Sequence, residues 1–80
     1  MIDVTTNKPL RVSNEGTAGP YIRLPLSQLE EVRHLLESRG IRHWVDEHAI
    51  SLNHGPFFAI IELGHGGDAT AVQALLDSAG

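Results

Sequence analysis

Apolar residues in this chain change their spacing several times, and each change marks an element. Leu29, Val32, Leu35 and Leu36 recur at helical spacing, which lines one side of a helix and leaves Gln28, Glu31 and Glu37 largely outside the stripe. Both ends of this helix are signalled. Ser27-Gln28-Leu29-Glu30 has the form of a capping box, with Ser27 accepting from the Glu30 amide and Glu30 reaching back. At the far end Gly40 supplies a left-handed residue, and Ile41 can fold back onto Leu36. A second helix is predicted after its cap, Asp68, with Val72, Leu75, Leu76 and Ala79 at i, i+3, i+4 and i+7.

Between and before the helices the pattern turns to strands. Residues 41–45 are strand-like, Asp46-Glu47-His48 is a polar break, and residues 49–52 resume. Asn53-His54-Gly55-Pro56 has the residue types of a turn. Residues 57–63 are apolar on both faces, and Gly64-His65-Gly66-Gly67 ends them. Upstream, residues 20–24 read as a strand closed by Pro25. Residues 10–13 alternate behind Pro9 and are expected to pair with 20–24, because an edge strand tolerates proline. Residues 1–19 are therefore an N-terminal segment, either an edge strand or a partly ordered tail, and residues 20–80 a single α+β domain.

The order strand, helix, strand, strand, helix predicts an antiparallel sheet with two helices on one face. The helical connection from 20–24 to 41–46 should be a right-handed crossover. Residues 57–63 then enter between those two strands, antiparallel to both. That is the split βαβ core of a small ferredoxin-like sheet. A central position explains why 57–63 is the most apolar strand. Residues 10–13 would add an N-terminal edge strand beside 20–24.

Two segments also carry a resemblance. Val32-Arg33-His34-Leu35-Leu36-Glu37-Ser38-Arg39-Gly40-Ile41 and the ending Ala71-Val72-Gln73-Ala74-Leu75-Leu76-Asp77-Ser78-Ala79-Gly80 resemble a family of small prokaryotic signal-transducing proteins with a half-ferredoxin βαββα fold. The likeness spans residues 20 to 80. It implies that fold and a regulatory or binding role, and it assigns no functional residue. Residues 1–19 and the Asp46-Glu47-His48 break depart from the family's pattern.

Composition narrows the function classes. A domain of 80 residues buries only about 60% of the surface its unfolded chain exposes, so oligomerisation is expected to add burial. Six basic residues against ten acidic give a net charge of -4, which lacks the attraction a nucleic-acid partner requires. There is no cysteine, hence no disulfide or thiolate metal site. The longest wholly apolar run, residues 57–61, falls far short of the roughly twenty residues of a membrane-spanning helix. Residues 1–6 have no secretory-signal character, so a cytoplasmic protein with no membrane partner is expected.

Candidate chemistry is sparse. His43, His48, His54 and His65, with Asp46 and Glu47, are metal-ligand types. No H-x-H, H-x-x-x-H or H-E-x-x-H spacing pre-places two imidazoles, however, so solvated histidines are the favoured reading and no metal or other cofactor is expected. The serines lack an elbow motif, and the adjacent Asp46 and Glu47 would point to opposite faces of a strand. No catalytic residue is assigned. Gly64-His65-Gly66-Gly67-Asp68 has the position of an anion site, but it lacks the Lys and Ser/Thr of a phosphate loop, and Asp68 would repel phosphate. Trp44 is expected to pack beneath a helix rather than stack on a ligand. The stretch 44–51 is still the first choice for a ligand site, through Trp44, Asp46, Glu47 and His48.

A non-enzymatic binding or regulatory module is the leading expectation. One face of 57–63 carries Phe57, Ala59, Ile61 and Leu63, and the other Phe58, Ile60 and Glu62. Only one face can lie under the helices. The other is expected to be a contact surface, with Phe58 and Ile60 at the interface of a homodimer or against another protein. Covering by the N-terminal residues is the main competitor. The alternative function is metal or small-ligand binding by the His and carboxylate residues of the 43–54 hairpin.

Overall fold

The computed structural model describes residues 1–14, 19–51 and 57–79, the side chains of residues 47–51 excepted. Among the described residues, four antiparallel strands and two α-helices make a small α+β fold. The strands β1 (Val12–Ser13), β2 (Tyr21–Pro25), β3 (Trp44–Ser51) and β4 (Phe57–Glu62) stand in the order β1-β2-β4-β3. Helix α1 (Leu29–Ser38) follows β2, and α2 (Ala69–Ser78) follows β4. The most apolar strand, β4, thus has a neighbour on each side. It pairs Ile61 with Ile22 and Ala59 with Leu24 on one edge, and Ile61 with Val45 on the other. Directly opposed residues share a face. Ile22, Leu24, Ala59 and Ile61 are all buried, in one cluster with Val32 and Leu36 of α1 and Val72 and Leu76 of α2. Both helices therefore cover this face.

The helix ends follow local chemistry, with one exception. Gly40 has φ +67°, its amide donates to Glu37 O (3.1 Å), and the Ile41 amide donates to Leu36 O (3.0 Å). This is a complete Schellman end. Asp68 caps α2 by accepting from the Ala71 amide at 3.0 Å. The capping box at Ser27 and Glu30 does not form. Leu26–Gln28 is a 3₁₀ turn that runs into α1, so Ser27 sits inside a helical turn, and Glu30 binds Arg33 at 3.0 Å instead. Gln28, placed outside the apolar stripe by its spacing, is buried. Its Nε2 donates to Ile2 O at 2.7 Å and its Oε1 accepts from the Val4 amide at 3.0 Å.

That bond shows where the N-terminal segment goes. Ile2 bridges Pro9, while Asp3 Oδ1 closes the intervening loop on the Thr5 (2.7 Å) and Thr6 (3.1 Å) amides. The Met1 amino group donates to Leu76 O, and Leu10 is buried in the core. Gln73 of α2 accepts from the Val12 amide at 2.8 Å and donates to Leu10 O at 2.9 Å. The segment is tied to the helical side of the sheet, and Val12–Ser13 extends the sheet beside β2. Residues 1–14 therefore do not cover the opposite face.

Strand β3 also departs from expectation. It starts at Trp44 rather than Ile41, because the Ile41 amide is engaged by Leu36 and the His43 ring donates from Nδ1 to Ile41 O at 2.8 Å. The polar stretch 46–48 is an irregularity within a continuous strand. Asp46 opposes Ile60 while Ile50 opposes Phe58, so β3 advances four residues where β4 advances two. The turn expected at 53–56 lies outside the described residues.

Candidate functional site

Register builds the uncovered face row by row. Tyr21, Glu62 and Trp44 oppose one another across β2, β4 and β3, and Arg23, Ile60 and Asp46 form the next row. Phe58 follows on β4. Phe58, Ile60, Glu62 and Tyr21 are half-buried, whereas Arg23 is exposed. Phe57 was expected to join the buried set with Ala59. It is 55% exposed at the very start of β4.

Polar groups on this face are few and specific. The Arg23 guanidinium carbon stands 4.6 Å from the Phe58 ring centroid, a cation–π contact that fixes the side chain along the strip. Glu62 Oε2 is inaccessible to solvent and has no hydrogen-bond partner among the described residues. Arg33 Nε on α1 shares that condition, but its guanidinium reaches Glu30 at 3.0 Å and Glu37 at 3.7 Å. Among the described residues Glu62 is thus an acid with a buried, unpartnered oxygen.

Trp44 does not pack beneath a helix. It is 47% exposed, and a Cβ on Gly64 would lie 3.2 Å from its ring. With Arg42, His65 and the loop into α2 it lines a cleft of about 700 Å³. The amide of Ala71 in the first turn of α2 is taken by Asp68, whose carboxylate stands where an anion would bind. Of the other residues assigned to a ligand site, Asp46 is half-buried on the uncovered face in β3, not in an exposed bend. Glu47 and His48 follow it in the same strand, and their side chains lie outside those described. Trp44 and Asp46 are therefore brought to one face. Among the described residues no three His, Asp or Glu are placed to hold a metal.

Arg23 and Tyr21 are the members of the face that the sequence reading passed over. Alternation marks them as outward-facing on β2, but only the register with β4 sets them beside Phe58 and Glu62. Among the described residues no helix is long and apolar enough to cross a membrane. No family model, curated protein or solved structure matches this chain.

Proposed function

We propose that this chain is a small non-enzymatic binding or regulatory module of the cytoplasm, working as a homodimer with the uncovered faces of two sheets stacked. The observation that carries the reading is the Phe58–Ile60 strip at the centre of the sheet, on the face opposite both helices and the N-terminal segment. Burying one Phe or Ile side chain fully stabilises by roughly 1.5–3 kcal/mol, a large sum for a domain of this size. A two-fold dimer is the simplest closed arrangement that covers the strip. In the same reading the sheet is of the ferredoxin-like kind, akin to the half-ferredoxin signal-transducing proteins. Its strand order, with a helix after β2 and another after β4, supports that kinship.

Sedimentation equilibrium at micromolar concentration tests the dimer. The expected mass is twice 8.7 kDa, and Phe58→Asp or Ile60→Asp should return it to 8.7 kDa. A wild-type chain that sediments at the single mass overturns the proposal.

A further inference from the structure

We infer that the cleft beside Trp44 binds a small aromatic zwitterion, a molecule of the free aromatic amino-acid type: its ring on the Trp44 indole, its carboxylate on Arg42 and its ammonium on Asp68. This goes beyond the stacked-face reading and does not depend on it.

The cleft, about 700 Å³, lies between the start of β3 and the loop that enters α2. That volume falls within the range of small-molecule sites, about 300–1,000 Å³. Its lining is more apolar than polar, with a few charged side chains, the mixture such sites use to hold and orient a ligand. Trp44 is the anchor. At 47% exposure it forgoes much of the burial that so large a side chain offers. Its ring is nevertheless held in place. Gly64 has φ +77°, and a Cβ there would stand 3.2 Å from Cη2 and 3.3 Å from Cζ3 of the indole. The bare backbone of Gly64 therefore lies against the six-membered edge of the ring. An indole braced by backbone along one edge and still half open to solvent is a stacking platform.

The charges around the platform select the ligand. Arg42 is exposed and, among the described residues, makes no ion pair. A guanidinium takes a carboxylate in a two-pronged hydrogen bond. Asp68 is exposed as well, and Oδ1 is the oxygen that accepts from the Ala71 amide, which leaves Oδ2 as an acceptor. A simple aromatic anion pairs with Arg42 but is repelled by Asp68, and a simple aromatic cation has the reverse difficulty. A zwitterion pairs with both. His65, the third ionisable residue of the lining, is neutral or cationic and does not oppose a carboxylate.

Trp44 is the only tryptophan in the chain, so its fluorescence reports on this cleft. L-Phenylalanine absorbs little where indole is excited. Titrating it should give a saturable change with a Kd on the order of 1 mM, in keeping with a ligand of about twelve non-hydrogen atoms. Phenylpropionate, which lacks the ammonium, and phenethylamine, which lacks the carboxylate, should each bind roughly tenfold more weakly. Arg42→Gln should bring L-phenylalanine down to the level of phenethylamine. Asp68→Asn keeps a capping side chain on α2 and should bring it down to the level of phenylpropionate. Because a stacked ring can leave fluorescence unchanged, the chemical shifts of the Trp44 indole N–H and the Gly66 amide are followed in the same titration. No saturable change in either readout overturns the inference. So does equal binding of the three probes, or of both variants and wild type, since each means stacking without recognition of charge. Sedimentation with and without L-phenylalanine separates this inference from the stacked-face reading. A wild-type monomer that binds keeps the cleft and drops the stacked faces, and a dimer that does not bind does the reverse.

Discussion

Gly40 turns the chain at φ +67°, with nothing within 4 Å of where a Cβ would stand. A side chain there would meet no clash, so its cost is that of left-handed backbone alone, about 1–2 kcal/mol for an L-residue. Gly40→Ala is expected to lower stability by about 1 kcal/mol, and Gly40→Asn by less, since Asn visits this region more readily. Urea unfolding measures both; an unshifted midpoint for Gly40→Ala would count against the Schellman end. The two cap positions give a sharper contrast. Asp68 accepts from the Ala71 amide, whereas Ser27 lies within a 3₁₀ turn that no side chain caps. Asp68→Ala should therefore cost about 1 kcal/mol. Ser27→Ala should stay within about 0.5 kcal/mol. Equal losses would reinstate the capping box that the sequence pattern suggests.

At the scale of elements, the helices were legible and their polar partners were not. Leu29, Val32 and Leu36 repeat at helical spacing, and Val32 and Leu36 are the residues α1 buries. Gln28 and Gln73 look like ordinary polar helix positions. Each instead binds backbone far away in sequence: Gln28 bonds Ile2, 26 positions off, and Gln73 bonds Val12, 61 positions off. Periodicity counts an amide as polar and cannot tell water from a distant peptide group. Gln73 serves Val12 and Leu10 much as a neighbouring strand would. Gln73→Ala leaves both groups without this partner, with an expected loss of about 1–3 kcal/mol. Hydrogen exchange locates the effect: the Val12 amide should exchange faster than in wild type, while the amides of β4 change only with global stability. Unchanged exchange at Val12 would mean the strand holds its place without Gln73.

For the whole molecule, one sheet face is covered and the other carries an apolar strip edged by Arg23 and Glu62. The proposed dimerisation through that strip would link folding to concentration, because association stabilises only the folded chain. The melting temperature is expected to rise by roughly 5 °C or more across a hundredfold range of protein concentration. Phe58→Asp should abolish the dependence. A melting temperature that is flat for wild type would show that the face contributes nothing to stability through a partner. Adjacent Phe58 and Ile60 were recognisable as one face from alternation alone. Which face the helices take, and which charges border the other, were not.

By itself the sequence determined the features that close within a few residues: the helical stripes, the Gly40 terminus, the Asp68 cap and the apolar character of β4. Their physics is local. Side-chain period, left-handed backbone and capping bonds all act between near neighbours in the chain. The tertiary structure alone decided that Gln28 is buried, that Trp44 faces away from the helices, and that β3 carries a bulge between Asp46 and Ile50. It alone aligned Tyr21, Glu62 and Trp44 in one row beside Arg23 and Ile60. The reason is strand register. Alternation says which residues of one strand share a face, but a one-residue slip between strands would exchange every neighbour across it.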